Sequence, residues 1–249
     1  MAESSWTEVA PGFFALTTAY TNCYLVRTAD GLTLVDAGLP GTRKTLTELL
    51  RHLGAQESDI DAVVLTHGHF DHVGMARGLS GAGARVVVHP RDQHLARHPY
   101  SYKPATARVP YLLSHPRGVP VIAAMAAAGA LGVRGVHAQP DVVDGEPVDV
   151  PGRPRALWTP GHTDGHCALL FEQAGVLLAG DAIVTLDPYT GETGPQIVAQ
   201  AATTDAAMAL DSLEVLEPTD ARLVLTGHGE AWTDGIRTAV AQARRVGAH

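Results

Sequence analysis

The sequence is poor in cysteine and lysine. Its 249 residues include two cysteines, Cys23 and Cys167, and two lysines, Lys44 and Lys103. Two cysteines cannot build a disulfide framework, and they fit a reducing, cytoplasmic environment. The net charge of −8 and the few lysines argue against a nucleic-acid partner, because binding to the phosphate backbone depends on Lys and Arg. The scarcity of lysine beside abundant alanine suggests a bacterial source.

The sequence also lacks a long hydrophobic run. Its most apolar stretch, residues 118–133, is too short and too rich in Ala and Gly to span a bilayer, and it predicts a buried or capping helix. Residues 1–8 have neither the basic nor the apolar region of a signal peptide. We therefore expect no membrane partner. With 45% apolar and 18% charged residues, the composition is that of a globular protein and excludes a disordered one.

Hydrophobic periodicity predicts an α/β protein. Asp30-Gly31 is a hairpin turn signal between two apolar runs, and Leu46, Leu49 and Leu50 recur at helical spacing ahead of Gly54. Strands are predicted at 13–17, 22–27, 32–36, 60–65, 85–89, 155–159, 167–171, 175–178 and 222–226, and helices at 42–53, 73–79, 204–216 and 236–246.

Residues 90–150 differ from the rest of the chain. This stretch contains eight prolines, several tyrosines and the alanine-rich predicted helix. Because it carries aromatic residues and a helical segment, we interpret it as a lid-like insertion into a single domain of residues 1–249, and not as a linker.

Histidine is the abundant residue, with 13 copies. Four segments rich in Gly, His and Asp each follow a predicted strand, and loops of this kind can converge at one sheet edge. Imidazole and carboxylate are ligands that suit Zn²⁺ and other divalent metals. His67 and His69 share one side of an extended backbone, whereas Asp71 and His72 must turn elsewhere. One metal is therefore not expected to bind all four side chains, and the spacing suggests two metals.

These motifs resemble those of the metallo-β-lactamase-fold hydrolases. The family pattern T-H-x-H-x-D-H is matched by T-H-G-H-F-D-H at 66–72. The other motifs also occur in family order. L-V-D-A-G lies upstream at 34–38, and P-G-H-T-D-G-H at 160–166, G-D at 180–181 and T-G-H-G at 226–229 lie downstream.

The resemblance implies an αββα sandwich of two mixed sheets with outer helices. It also implies a dinuclear site of two Zn²⁺ ions, with Fe²⁺, Mn²⁺ or a mixed pair as alternatives, whose shared hydroxide attacks an acyl carbonyl. Asp71 is further expected to move a proton to the leaving group. The implied ligands are His67, His69 and His162 for one metal, Asp71, His72 and His228 for the other, and Asp181 as the bridge.

Two neighbouring residues are candidates for supporting roles. Asp36 lies at a family position near the metals, and we expect it to bond loop amides instead of binding metal. His166 is either a residue that orients the site or a packed histidine at the start of a strand. The other seven histidines are expected to be surface or packing residues.

Asp181 favours the glyoxalase-II-like, lactonase and thioesterase branches over true β-lactamases, which usually lack the bridging carboxylate. We therefore predict an enzyme that hydrolyses a thioester, lactone or other ester on a small or carrier-bound acyl substrate. The alternatives are an iron-dependent persulfide dioxygenase of the same fold and a β-lactamase-like amide hydrolase. The oligomeric state is left open. An apolar acyl pocket is predicted from Tyr100, Tyr102, Tyr111 and Met125, and Tyr189 is a candidate donor to the carbonyl oxygen.

Overall fold

The structure is a computed structural model that describes residues 5–249. Over these residues the chain forms twelve β-strands and eight α-helices, and none of these helices combines the length and apolar character needed to cross a membrane. The predicted absence of a signal peptide rests partly on residues 1–4, which lie outside the described residues. Two compact units are present. Among the described residues, the first contains 5–101, Ala124–Val142 and Val148–Arg153, and the second contains Tyr102–Ala123, Val143–Pro147 and Pro154–His249.

The first unit contains a six-stranded mixed sheet in which the strands follow one another in chain order. The first four strands are antiparallel, and the last two continue the sheet in parallel. The strands are β1 (Ser5–Ala10), β2 (Phe13–Thr18), β3 (Thr21–Thr28), β4 (Gly31–Val35), β5 (Ile60–Val64) and β6 (Arg85–Val87).

Local sequence explains how this sheet is connected. The predicted turn at Asp30-Gly31 joins β3 to β4, which confirms the hairpin. Parallel strands need a crossover, and between β4 and β5 it is helix α1 (Arg43–His52). Leu46 and Leu49 on α1 are fully buried in the core under the sheet. Gly54 follows the helix with φ +71°, a left-handed conformation that glycine adopts without strain.

The helix predicted over residues 73–79 is two helices, α2 (Phe70–Val73) and α3 (Ala76–Gly81). The break is at Gly74, whose N–H donates to the Gly38 carbonyl at 2.8 Å. A Cβ at position 74 would lie 2.3 Å from that carbonyl oxygen, so the close approach requires glycine. The prediction of one helix was wrong because its periodicity carries no signal of this contact.

The second unit contains a four-stranded mixed sheet in the order β12-β9-β8-β7, with a separate hairpin of β10 and β11. The four strands and the last helix match the predicted segments, whereas the β10–β11 hairpin was not predicted. The elements are β7 (Arg155–Trp158), β8 (Cys167–Phe171), β9 (Val176–Gly180), β10 (Val184–Leu186), β11 (Thr193–Gln196), α7 (Ala206–Ser212), β12 (Leu223–Thr226) and α8 (Ile236–Val246).

Residues 90–150 contain three short helices joined by turns and irregular chain. The predicted helix over 118–133 is confirmed in part: it is regular over α6 and continues over Ala126–Ala130 as a wider turn that ends near Gly129, which has φ +98°. That residues 90–150 act as a lid stays a prediction. The helices are α4 (Gln93–Arg97), α5 (Arg108–Ser114) and α6 (Val119–Met125).

A buried carboxylate, Asp187, organises the chain after β10. It accepts hydrogen bonds from the backbone N–H groups of Tyr189 at 2.7 Å and of Ala199 at 2.8 Å. The His249 imidazole lies 2.9 Å from the same carboxylate. The hydrogen bond to Asp187 raises the pKa of His249 above its ordinary value, although burial acts in the opposite direction.

This pair gives the stability of the protein a pH dependence. A raised pKa in the folded state means that the contribution of His249 is complete below its unfolded pKa of about 6.5 and is lost as pH rises through the folded pKa. We expect His249→Gln to lower the free energy of unfolding most at pH 5, with a smaller loss at pH 8. Denaturant unfolding across this range measures the difference, and His137→Gln, at an exposed histidine, is the control. A pH-independent loss for His249→Gln would contradict the prediction.

Candidate metal centre

The first group of predicted ligands lies at the carboxyl ends of β4 and β5. These strands are parallel neighbours, so the residues that follow them meet at one edge of the sheet. The backbone N–H of Asp36 donates to the Val64 carbonyl at 2.9 Å, and the N–H of Thr66 donates to the Asp36 carboxylate at 2.8 Å. Asp36 therefore bonds a loop amide, the role expected from the sequence.

The Asp36 carboxylate also orients two histidines. Its Oδ2 lies 2.9 Å from His72 Nδ1 and 2.9 Å from Thr66 Oγ1. A carboxylate accepts hydrogen bonds, so Nδ1 of His72 and the Thr66 hydroxyl are the donors to Asp36. Thr66 Oγ1, 3.0 Å from His67 Nδ1, is then the acceptor for a proton on that nitrogen. In its neutral form, an imidazole whose Nδ1 donates in this way offers the lone pair of Nε2, as a metal ligand requires.

The remaining residues of this loop are buried beside these two. The ring of His67 lies 4.7 Å from that of His69 and 4.1 Å from that of His72, measured between centroids. The backbone is extended at His69 and helical from Phe70, so Asp71 and His72 leave the extended segment, as the spacing predicts. Asp71, only 6% exposed, lies in the first turn of α2.

One supporting residue, Asp92, was not predicted. Its buried carboxylate accepts the N–H of Gly68, between the first two histidines, at 2.9 Å. A Cβ on Gly68 would lie 2.5 Å from the backbone nitrogen of Ala96 in α4, so glycine allows the close packing of the loop against this helix. Asp92 follows His89 in a turn outside the histidine motif, and its sequence context carries no signal of this role.

The second group of predicted ligands lies at the ends of three strands of the second sheet. His162 follows β7, Asp181 follows β9 and His228 follows β12. Strands β9 and β12 are parallel, and β7 runs in the same direction as β9 because each is antiparallel to β8. All three residues therefore lie at the same edge of the sheet, and all are buried.

Asp181 lies between the two histidines of this group. Its Oδ2 is 3.4 Å from His162 Nε2 and 3.5 Å from His228 Nε2. These distances exceed the usual 2.7–3.2 Å of an N–H···O hydrogen bond. Thr203 Oγ1 lies 3.2 Å from His162 Nδ1 and donates its own proton to the Val198 carbonyl at 2.7 Å, so His162 carries its proton on Nδ1. Its Nε2 then has the lone pair that a metal requires.

His166 supports this group through the backbone of Asp181. Its Nε2 accepts the Asp181 N–H at 3.0 Å, and its Nδ1 lies 2.7 Å from Thr159 Oγ1. An imidazole nitrogen that accepts a hydrogen bond has no lone pair left for a metal, and the other nitrogen then carries the ring proton. His166 therefore bonds the backbone of Asp181, and its role in orienting the site stays a prediction.

The tyrosines predicted to line an acyl pocket have specific packing partners. Tyr100 stacks on Phe70 with ring centroids 5.5 Å apart, and its hydroxyl donates to the Ala130 carbonyl at 2.6 Å. Tyr189 packs against the buried cluster that contains Val184 and Val198.

Tyr102 lies 4.3 Å from the Arg108 guanidinium, and Tyr111 stacks on His115 with ring centroids 4.3 Å apart. Met125 is buried. These packing partners account for the positions of the four tyrosines, and the pocket stays a prediction.

Within the first unit, the histidine and aspartate side chains of the T-H-G-H-F-D-H loop form close pairs. In each pair, the two ligand atoms lie within 4.8 Å of one another. The pairs are His67 and His69, His67 and His72, and Asp71 and His72.

Comparison with known proteins agrees with these motifs. The family model for the metallo-beta-lactamase superfamily matches residues 16–228. The probable metallo-hydrolase YflN of Bacillus subtilis is 28% identical over 237 residues, which are 89% of this chain and 85% of that protein. The probable metallo-hydrolase YqjP of the same organism is 29% identical over 223 residues, or 84% and 67% of the two chains.

Solved structures show the same fold. The metallo-beta-lactamase family protein TTHA1429 from Thermus thermophilus has a TM-score of 0.70 and 28% identity, covering 96% of this chain and 80% of that chain. TTHA1623, in a di-iron-bound form, has a TM-score of 0.61 and 24% identity, covering 92% and 96%, and shows the fold alone. These matches confirm the fold class predicted from the motifs, and the chain belongs to the metallo-β-lactamase superfamily.

Proposed function

We propose that the protein is a dinuclear zinc-dependent hydrolase that cleaves a thioester, a lactone or another ester. The observation that carries the proposal is the position of Asp181, whose Oδ2 lies at nearly equal distances from His162 Nε2 and His228 Nε2. A carboxylate between them is the arrangement that a bridging ligand requires.

The donor set fits a pair of divalent ions. It consists of five imidazoles and two carboxylates, the ligand types that suit zinc. For His67, His72 and His162, hydrogen bonds hold the proton on Nδ1, so each presents the lone pair of Nε2. Outer partners of this kind are typical of histidines that bind metal.

The chain's own residues would hold the ions and handle protons. When bound, the two ions would polarise the carbonyl and lower the pKa of a water, which supplies a nucleophile at neutral pH. Asp181 would bridge them while His166 fixes its backbone. Asp71, in the first turn of α2, would move a proton to the leaving group. A small or carrier-bound acyl compound is the proposed substrate, and the cytoplasm is the proposed location.

Asp181 is the residue that distinguishes this function from its alternatives. We expect Asp181→Asn to lower the metal content from two ions per chain to one or fewer, because the amide loses the charge that a bridge supplies. We expect kcat/KM to fall at least about 100-fold, more than the roughly 10- to 100-fold that loss of an outer partner costs. Metal analysis and hydrolysis of acyl thioesters, lactones and a β-lactam measure both effects.

Asp164→Asn is the matched control, because Asp164 lies exposed in the loop of His162. It should leave metal content and rate unchanged. Full metal content and full activity in Asp181→Asn would overturn the bridging role. One iron per chain, together with sulfite formation from a persulfide, would replace the hydrolase by the dioxygenase. Hydrolysis of the β-lactam alone would indicate an amide hydrolase.

A substitution at Asp36 tests whether this carboxylate supports the predicted metal ligands. Asn is the suitable replacement because position 36 has φ +59°, a conformation that Asn adopts more readily than most residues. We expect Asp36→Asn to weaken metal affinity by about 10- to 100-fold, since the orientation of His72 and Thr66 depends on the carboxylate. Competition with a chelator measures the affinity, and Asp30→Asn, in an exposed turn, is the control. Unchanged affinity would show that Asp36 serves the loop backbone alone.

A further inference from the structure

Helix α5 carries two buried polar atoms that have no hydrogen-bond partner among residues 5–249. They are Nη2 of Arg108 and the hydroxyl oxygen of Tyr111. Buried polar atoms are nearly always hydrogen-bonded, and each exception calls for an explanation. A guanidinium nitrogen that is buried without a partner is costly, because the group is cationic. A missing ligand that accepts hydrogen bonds would explain both atoms.

The two side chains share one face of α5. Residues three positions apart are neighbours on a helix surface. Arg108 is fixed in place on this face: its Nε donates to the Ala201 carbonyl at 3.3 Å, and its guanidinium lies 4.3 Å from the centre of the Tyr102 ring. A guanidinium held in this way loses little freedom when it binds an anion.

Tyr111 is a neutral hydrogen-bond donor. Burial and the nearby Asp187 carboxylate raise the pKa of Tyr111 to about 12, so its hydroxyl keeps its proton at physiological pH. The Asp187 oxygens already accept the N–H groups of Tyr189 and Ala199 and bond His249. The ring of Tyr111 is held by stacking on His115.

The chain that leads into α5 is bonded to the residue that orients a predicted metal ligand. The N–H of Ala105 donates to the carbonyl of Thr203 at 2.9 Å. The side chain of the same Thr203 lies 3.2 Å from Nδ1 of His162. Arg108 bonds Ala201, two residues before Thr203. Arg108 is therefore anchored on the short segment that also supports His162.

We propose that Arg108 and Tyr111 bind an oxyanion of the substrate, so that the enzyme prefers acyl compounds with a negative charge away from the scissile bond. This inference rests on the proposed hydrolase function. Guanidinium and phenol N–H and O–H groups match the oxygens of a carboxylate or a phosphate. The carboxylate would belong to the acyl group, and the phosphate to the leaving thiol.

Four thioesters distinguish these two sources. The acyl group is either butanoyl or succinyl, and the thiol is either N-acetylcysteamine, which is neutral, or 4′-phosphopantetheine. We expect kcat/KM to be higher for the substrates that carry the oxyanion at the position which the pair recognises. A preference for succinyl over butanoyl identifies a carboxylate, and a preference for the phosphorylated thiol identifies a phosphate.

Arg108→Gln and Tyr111→Phe test the two residues. Each should lower kcat/KM for the preferred anionic substrate, by about 10- to 100-fold for Arg108→Gln, because a charge-assisted hydrogen bond is lost. The rate for the neutral butanoyl N-acetylcysteamine thioester should fall less, so that the preference for the anionic substrate narrows. Arg117→Gln is the matched control, because it removes the same charge from an exposed side chain that pairs with Glu192. It should leave the preference intact.

Equal losses on all four substrates would overturn the inference and show that the pair only holds the loop. Absence of any preference in the wild-type protein would overturn it as well. Should the metal-loaded protein hydrolyse no thioester, lactone or other ester, the proposed function fails, and calorimetric binding of succinate and inorganic phosphate still tests the pair. Weaker binding by Arg108→Gln than by Arg117→Gln supports the oxyanion site, and equal binding overturns it.

Discussion

The Asp36 carboxylate is the point on which the geometry of the first histidine loop depends. It follows β4 directly, and its backbone and side chain bond to the neighbouring strand end at Val64 and Thr66. The same carboxylate fixes His72 and, through the Thr66 hydroxyl, His67. A short series of hydrogen bonds therefore connects the end of the sheet to both imidazoles. A rigid sheet edge thus determines where the nitrogen lone pairs lie, which is what preorganises a metal site.

In the second unit, the predicted metal ligands are oriented by uncharged groups. Thr203 orients His162 through a hydroxyl that is itself fixed by the Val198 carbonyl. His166 does not orient another imidazole; it holds the backbone of Asp181. The supporting groups are here uncharged, so the negative charge of this group is concentrated on Asp181. A negative charge located on one carboxylate suits a ligand shared between two cations, because both cations can then contact the same charged group.

The sequence predicted the parts of the site that depend on short-range patterns. The loop T-H-G-H-F-D-H and the strand before it are contiguous, so alternation and spacing were sufficient to separate His67 and His69 from the residues that turn into α2. The sequence leaves the role of His166 open, because that role depends on how β7 and β8 bring Thr159 and the Asp181 backbone to its two nitrogens. No pattern within a single strand encodes that arrangement.

Long-range packing also explains what the sequence did not predict. Asp92 supports Gly68 from a turn 24 residues later, and Tyr100 makes its hydrogen bond to Ala130. The β10–β11 hairpin consists of strands of only three and four residues, too short for an alternation to be recognised. In each case the determining partner is distant in the chain, so local periodicity carries no information about it.

The protonation pattern of the histidines links the fold to the chemistry. A neutral imidazole with its proton on Nδ1 contributes the lone pair of Nε2 but no charge. The buried carboxylates Asp71 and Asp181 contribute the negative charge of the donor set. Buried charges are stable when they are paired or bind metals. Divalent cations at these positions would neutralise the carboxylates and accept the imidazole lone pairs. Metal binding would therefore supply the partner that each kind of buried group needs.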